Sequence, residues 1–439
     1  DRDQSEWTGV AQKLSDHGYH ILTFDYRGFG TSGGTMPENL DAHKRTFEKL
    51  EKLNRAYGIT GNSPNPGGAT SFDVLRTQSA SFLFFNSGEA NRIVTAGNKS
   101  LTWERTENLN IGLDFAFFNN RVKGTFDYYK NTTEDLLDEI PVNILTGFNT
   151  IQGNAGTIEN KGVELSLQTL NIDGAFKWRS GINLGRNTNK VIELNSPQTI
   201  TSASNLLLNG LVPLPGNPLF PIYAYDYAGL NDEGGPQVRL ADGTISSDYT
   251  SSGLPEDLKF MGTYQPKWSG GFSNSFTYKG FNLTANTIFN LGHVAYADVP
   301  IGFSGRPLEG SGGLVNNISA HADFVNRWKQ PGDEATTNIP AYDFGSSLIY
   351  ENFYRYSNIN VISASYIKLR DISLSYALPK SITTKLNASE ISFRVILNNI
   401  MLWTDNDKGI DPEFHNAPQG QRFTPVNQGS LTFGMHLTF

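Results

Sequence analysis

The chain has 439 residues, with 43 Asp or Glu against 35 Lys or Arg, a formal net charge of −8, and no cysteine. The lack of cysteine excludes disulfides and thiolate metal sites, and the dispersed basic residues argue against a nucleic-acid partner. No run approaches the roughly 20 apolar residues of a membrane-spanning helix. With a mean hydropathy of −0.36, any membrane crossing is expected to be made by strands.

The residue pattern of the first fifty residues differs from that of the rest of the chain. An amphipathic helix pattern is followed by the buried-strand pattern "YHILTFDY" and the glycine-rich loop "RGFGTSGG". Residues 1–37 therefore resemble a fragment of an α/β-hydrolase, and we predict a short α/β segment over residues 1–50. Gly30–Gly34 match G-x-S-x-G with Ser32 at the centre, but a nucleophile elbow needs a strand running straight into the turn. Ser32 is accordingly not assigned as catalytic.

From about residue 55 onward, the chain alternates apolar and polar residues around short turns. The predicted strands are "RAYGITG", four hairpin pairs and the last residues of the chain, about ten in all. Asn119-Asn120 and Lys279-Gly280 suit the positive φ of two-residue turns. The alternation predicts that Phe115, Phe126, Trp178, Phe276 and Phe433 share the lipid-facing side. It places Gly124, Asn183, Asn274, Asn282 and Thr284 on the opposite, inward side.

The connections between the pairs are long and polar, and they cover residues 131–161, 187–266, 291–364 and 404–428. If the strands run up and down in order, every short turn falls at one end and every long loop at the other. That asymmetry is typical of transmembrane β-barrels with long outer loops. A soluble β-sandwich remains the alternative on pattern alone. The predicted fold class is all-β, a partial antiparallel transmembrane barrel preceded by the short α/β segment.

One of these loops carries an acidic cluster, "DNDKGIDPE". Its carboxylates Asp405, Asp407, Asp411 and Glu413 surround Gly409, and oxygen-rich loops of this kind bind calcium in other proteins. The spacing does not match an EF-hand, and a solvated acidic loop is the simpler interpretation. We expect no cofactor, with calcium at these four residues as the alternative.

The last strand, "SLTFGMHLTF", has apolar residues at every second position. One face of this strand is therefore wholly apolar, and the other is small or polar. The apolar positions are Leu431, Phe433, Met435, Leu437 and Phe439.

Several stretches occur in the order found in the SusC/RagA family of TonB-dependent outer-membrane transporters, which residues 55–439 resemble. The stretches are "YGITGN" from Tyr57, "LTWERTENLNIGLDFAFFNNRVKGTFDYY" from Leu101, "NAGTIENKGVELSL" from Asn154, "YAGLN" from Tyr227, "QPKWSGGFSNSFTYKGFNL" from Gln265, "RWKQPGDEATTNIP" from Arg327 and "ASYIKLRDISLSYALP" from Ala364. The resemblance implies the C-terminal part of a barrel of about 22 strands that is filled by an N-terminal plug. It also implies that the alternation ending on Phe439 is the signal read by the barrel-assembly machinery.

The implied function is nutrient import across the outer membrane, with a glycan or peptide as ligand and outer-membrane lipid around the barrel. The implied partners are a SusD-like surface lipoprotein and the TonB complex, the latter through a plug that has no counterpart in these residues. Energy coupling by this chain alone is therefore not expected. A serine hydrolase and a small stand-alone porin remain the alternatives. An enzymatic role is not expected.

Overall fold

The computed structural model describes residues 52–62, 73–79, 89–195, 202–208, 214–299, 321–342, 348–416, 420–422 and 429–439. The chain divides into two compact units. The first comprises residues 1–171 and 179–198, and the second comprises residues 172–178 and 199–439. The predicted α/β segment at residues 1–50, including Ser32, lies outside the described residues.

The first unit is built from antiparallel strands. Its strands are β1 (Lys52–Asn62), β2 (Val74–Ser79), β3 (Glu89–Thr95), β4 (Glu104–Phe117), β5 (Val122–Pro141), β6 (Thr150–Asp173) and β7 (Phe176–Leu194), where the ends of β6 and β7 next to their shared turn belong to the second unit. A 3-10 turn at Ile144–Thr146 joins β5 to β6.

The second unit combines strands with short helices. Its strands are β8 (Pro221–Leu230), β9 (Pro236–Arg239), β10 (Ile245–Ser246), β11 (Leu258–Thr263), β12 (Trp268–Tyr278), β13 (Phe281–Leu291), β14 (Val294–Tyr296), β15 (Val361–Ser363), β16 (Tyr366–Ala377), β17 (Glu390–Thr404), β18 (His415–Asn416), β19 (Gln421–Arg422) and β20 (Ser430–Thr438). Its helices are α1 (Ala203–Leu208), α2 (Leu348–Arg355) and α3 (Lys380–Thr383), with 3-10 turns at Pro255–Asp257, Ala322–Asn326, Asp333–Ala335, Asn358–Asn360, Thr384–Leu386 and Pro412–Phe414. Among the described residues, no helix is long and apolar enough to cross a membrane.

Ten of the described strands form the larger sheet, and they correspond to the ten predicted from alternation. In the first unit the order is β1-β4-β5-β6-β7, and in the second it is β12-β13-β16-β17-β20. The pairs β1-β4, β4-β5, β5-β6, β12-β13, β13-β16, β16-β17 and β17-β20 are antiparallel. Short turns join β4 to β5, β6 to β7 and β12 to β13, and longer connections join the other neighbours. The turn between β4 and β5 places Asn119 and Asn120 at φ +55° and +63°, and that between β12 and β13 places Lys279 at φ +45°. These are the left-handed conformations expected of two-residue hairpin turns.

The predicted long loop at residues 131–161 is wrong. β5 continues for 20 residues and β6 for 24, so that only residues 142–149 connect them. A membrane-crossing strand needs about 9–11 residues, so both strands run well beyond that length. Polar side chains support the extension: the Asn154 amide donates to the Asp135 carbonyl oxygen at 2.8 Å, and the Glu104 carboxylate accepts from Leu137 N–H at 2.8 Å. Apolar and polar residues do not alternate regularly in these parts of β5 and β6, but backbone pairing between strands does not require such alternation.

The connections over residues 187–266 and 291–364 are also more ordered than predicted. Their described parts contain a four-stranded sheet in the order β10-β9-β8-β11, the pair β14-β15, and helices α1 and α2. We call the described residues of 202–266 and 293–364 the loop module. Its core is made of buried side chains from both connections, among them Leu207, Tyr225, Val238, Tyr296 and Phe353. Pairing two separate loops supplies the apolar partners that neither has alone.

Candidate functional site

The sheet of the second unit has one apolar face that continues unbroken across five strands. The strand register places Phe276 opposite Leu283, Leu283 opposite Leu374, Leu374 opposite Val395, and Val395 opposite Phe433. Phe433 and Leu374 are 73% and 45% exposed. A row of exposed apolar side chains on neighbouring strands is what lipid contact requires of a β-sheet.

The five terminal apolar residues follow this pattern. Leu431, Phe433, Met435 and Leu437 lie at alternate positions of β20 opposite Leu397, Val395, Phe393 and Ile391, and Phe439 directly follows β20. All five are exposed, Phe439 at 84%. Their role as an assembly signal stays a prediction.

Two residues predicted to face inward instead lie, each within its own unit, among apolar side chains. Gly124 is opposite Phe115 and Leu167, and a Cβ on Gly124 would lie 2.7 Å from the Phe115 ring, so the glycine lets that ring lie across the strand. Asn274 is two residues from Phe276, and its Oδ1 accepts a hydrogen bond from Trp178 Nε1 at 2.9 Å. The prediction failed because it ranked residue type above strand periodicity. A polar amide is tolerated in these surroundings because the indole satisfies it.

The opposite face of the same sheet is mainly polar. Its row through the middle of the strands runs Ser275, Thr284, Ser373, Ile396 and Thr432. The neighbouring positions on this polar face are Ser273, Thr277, Asn282, Asn286, Asp371, Ser375, Ser392, Arg394, Asn398, Ser430, Gly434 and His436. Neutral hydroxyl and amide groups dominate, so this face is suited to water and to polar ligands.

A β-bulge in β16 interrupts the regular alternation on the polar face. Asn286 pairs with Asp371 and Thr287 with Leu369, leaving Arg370 as the extra residue. A bulge places two successive side chains on similar sides of a strand. Arg370 and Asp371 both line a depression of about 460 Å³ on the polar face. The Asn286 amide holds Asp371, donating to its two carboxylate oxygens at 3.0 and 3.1 Å.

Next to the depression, a buried lysine binds two of the predicted calcium ligands. Lys368 is 1% exposed, and its Nζ lies 2.7 Å from Asp411 Oδ2 and 2.6 Å from Glu413 Oε2. Glu413 Oε1 also accepts from Arg370 Nη2 at 2.6 Å. Burial acts to raise the pKa of the Glu413 carboxyl, but the hydrogen bonds from Lys368 and Arg370 outweigh it, and that pKa lies below its usual value. We call Lys368, Arg370, Asp411 and Glu413 the ion cluster.

The four acidic residues therefore do not converge on one point. Asp405 and Asp407 are exposed, whereas Asp411 and Glu413 point at cations of β16. Within the described ranges, no three His, Cys, Asp or Glu side chains are grouped so as to hold a metal ion. The calcium site stays a prediction. The ion pairs of Asp411 and Glu413 with Lys368 argue against it.

The stretch "RWKQPGDEATTNIP" forms a compact corner of the loop module. Trp328 packs on Gly234, where a Cβ would lie 2.4 Å from the indole, and its Nε1 donates to Glu334 Oε2 at 2.9 Å. The same carboxylate oxygen accepts from Gly332 N–H at 2.8 Å. The Tyr350 hydroxyl donates to the Ala341 carbonyl oxygen at 2.9 Å. These bonds fix the corner against the rest of the module.

Titratable groups in the module core are held neutral. Burial raises the pKa of the Tyr225 and Tyr296 hydroxyls well above its usual value. Burial also lowers the pKa of His293 to about 4, and its Nδ1 has no hydrogen-bond partner among the described residues. These groups give the core no charge at neutral pH. They are consistent with a structural role for the module core.

Comparison with known proteins identifies this architecture. The family model described as "TonB dependent receptor-like, beta-barrel" matches residues 56–399. TonB-dependent receptor P3 of Formosa agariphila is 29% identical over 403 residues, which is 88% of this chain and 38% of that receptor. TonB-dependent receptor SusC of Bacteroides thetaiotaomicron is 26% identical over 82% of this chain and 35% of its own length.

Solved structures agree on the fold. The structure of the RagAB peptide transporter superposes with a TM-score of 0.68 at 22% identity, over 90% of this chain and 42% of that one. The chain thus spans about two fifths of the length of the relatives it matches. With the family model covering most of the sequence, this chain belongs to the TonB-dependent receptor β-barrel family.

Proposed function

We propose that this chain forms barrel wall and outer loops of a SusC-like transporter that imports a glycan or peptide across the outer membrane. The observation that carries the proposal is the two-faced sheet of the second unit, with its unbroken apolar row from Phe276 to Phe433 and a polar face behind it. The family match supports the transport role. The names of the relatives give no support to a serine hydrolase.

The proposed partners follow from the same family. A SusD-like surface lipoprotein would contact the loop module, and exposed apolar side chains such as Val325, Leu254 and Phe260 offer contacts for it. Coupling to the TonB complex would use a plug segment of the complete transporter. Outer-membrane lipid would cover the apolar face. Each of these partners is a separate, testable part of the proposal.

Uptake by cells tests the transport role. A strain lacking the gene that carries this sequence should lose uptake of a labelled oligosaccharide or peptide pool, and regain it on complementation. Complementation with Phe433→Lys should fail, because a lysine in lipid costs about 2–4 kcal/mol at the bilayer midplane. Thr432→Lys is the matched control, since Thr432 lies on the polar face. Equal uptake with and without the gene would overturn the proposal.

The orientation of the loops is testable because the chain has no cysteine. Val325→Cys places a thiol at an exposed position of the loop module, and Lys279→Cys places one in a short turn. A membrane-impermeant maleimide should label the first on intact cells and the second only after the outer membrane is opened. The reverse pattern would invert the proposed topology.

A further inference from the structure

The depression on the polar face carries two arginines and one carboxylate among neutral hydrogen-bonding groups. Its lining includes Arg370, Arg394, Asp371, Thr284, Ser373 and Asn398. All six belong to β13, β16 and β17, which are central strands of the sheet in the second unit. Side chains on paired strands are held more firmly than those on loops. The arrangement is therefore a built feature of the wall.

Arg370 reaches the depression because of the bulge in β16. In unbroken alternation, only one of Arg370 and Asp371 would face this side. Arg370 Nη2 donates to Glu413 Oε1 at 2.6 Å, and the side chain remains 44% exposed. A guanidinium has five N–H donors, and this contact uses one of them. The others are available to a ligand in the depression.

Arg394 is the second cation, and its neighbours leave it room. It lies opposite Ser375 on one side and Gly434 on the other, both small residues. A Cβ built on Gly434 would meet its nearest atom only at 4.0 Å. Asp371 lines the same depression, and its two carboxylate oxygens accept hydrogen bonds from the Asn286 amide.

We propose that this depression binds a carboxylate carried by an otherwise neutral, polar ligand. Arg394 and Arg370 supply charge-assisted hydrogen bonds, which are stronger than neutral ones. Thr284, Ser373 and Asn398 bind hydroxyl or amide groups beside the carboxylate. Asp371 repels additional negative charge, so the site favours one carboxylate over a dense polyanion. The inference rests on the proposed function in that it gives the import path a ligand class.

Calorimetry on the full chain in detergent micelles tests this site. The probes are galacturonic acid against galactose, and acetyl-trialanine against acetyl-trialanine amide, so that each charged probe carries a single carboxylate. Carboxylate probes should bind at least tenfold more tightly than their neutral counterparts, a difference of about 1.4 kcal/mol. A preference for the sugar or for the peptide identifies the source of the carboxylate. Equal binding of charged and neutral probes would overturn the proposal.

Variants separate a binding role from a folding role. Arg394→Gln should weaken the carboxylate probe about tenfold and leave the neutral probe unchanged, and Arg394→Lys should recover part of the loss. Asp371→Asn should strengthen carboxylate binding several-fold, a gain that misfolding cannot produce. Lys385→Gln, an exposed lysine in the turn before β17, is the matched control. Unchanged affinities in both Arg394→Gln and Asp371→Asn would contradict the site.

The outcome is independent of the test of the proposed function. Binding in micelles needs no transport, so intact binding with no uptake by cells would overturn import and leave the site standing. Normal uptake with no carboxylate preference would overturn the site and leave import standing.

Discussion

Removing the buried lysine of the ion cluster should release the loop that follows β17. Lys368 is 1% exposed, and its ammonium bridges Asp411 at 2.7 Å and Glu413 at 2.6 Å. Its Nζ also lies 4.7 Å from the centre of the Phe414 ring. In Lys368→Met the side-chain volume is kept, but Asp411 loses its cation and Glu413 keeps only Arg370. Breaking a buried pair by removing one partner costs about 3–5 kcal/mol.

Amide hydrogen exchange in the loop measures this cost locally. Ile410 N–H donates to Asn406 Oδ1 at 3.0 Å, and its exchange reports opening of the loop. A loss of about 3 kcal/mol in the free energy needed to open the loop corresponds to roughly 100-fold faster exchange, since each 1.36 kcal/mol is a factor of ten. Lys385→Met, on an exposed lysine, is the matched control and should leave exchange unchanged. Unchanged exchange at Ile410 in Lys368→Met would refute the reasoning.

Two further conditions check that charge is the cause. Adding Asp411→Asn and Glu413→Gln to Lys368→Met should restore slow exchange, because no buried charge is then left without a partner. The pKa of the Glu413 carboxyl is depressed in the folded state. Its contribution is therefore present above the unfolded value, about 4.3 for a glutamate, and is lost as the pH falls through the folded value. Glu413→Gln should remove this acid sensitivity of Ile410 exchange.

Three other predictions concern packing, pH and assembly. Gly124→Ala should lower the free energy of unfolding by about 1–3 kcal/mol, because a Cβ would lie 2.4 Å from the Ser166 carbonyl oxygen. Gly434→Ala should be tolerated, and the urea midpoints of the two variants measure the difference. His293 should titrate near pH 4 by NMR. The free energy of unfolding should decline as the pH falls from about 6.5 towards that value, because the unfolded state then binds a proton that the folded state does not. A pKa above 6 would contradict the burial of His293. Phe439→Ser should lower the fraction of heat-modifiable, assembled protein in cells, and an unchanged fraction would remove Phe439 from the assembly signal.

The larger sheet was predictable from sequence because lipid and water impose a strict period of two on its strands. Leu431 to Phe439 show this period without interruption, and the structure pairs their strand as expected. The errors at Gly124 and Asn274 have a common cause. Their fit among apolar side chains depends on Phe115 and Trp178, which lie on other strands and cannot be assigned as partners from one strand alone.

The ion cluster and the loop module could not be predicted from the sequence, because both depend on contacts between segments that lie far apart along the chain. The acidic run at 405–413 suggested a calcium loop, but its partner Lys368 lies 45 residues from Glu413 along the chain. The β-bulge that turns Arg370 onto the polar face leaves no local signature. In the module, Tyr225 packs on Phe353 with ring centres 4.9 Å apart, and these residues come from two different loops. Such contacts depend on which loops pack together in the folded protein, and a local sequence pattern does not show this.

The central claim, that one face of the sheet contacts lipid and the other faces polar surroundings, is tested most directly by spin labels at Phe433 and Gly434. These neighbours lie on opposite faces of β20; Phe433 is 73% exposed and Gly434 has room for a label. In lipid vesicles, the label at residue 433 should be relaxed by oxygen and shielded from a water-soluble nickel chelate, and the label at residue 434 should show the reverse. Equal access of the chelate to both labels would contradict the account.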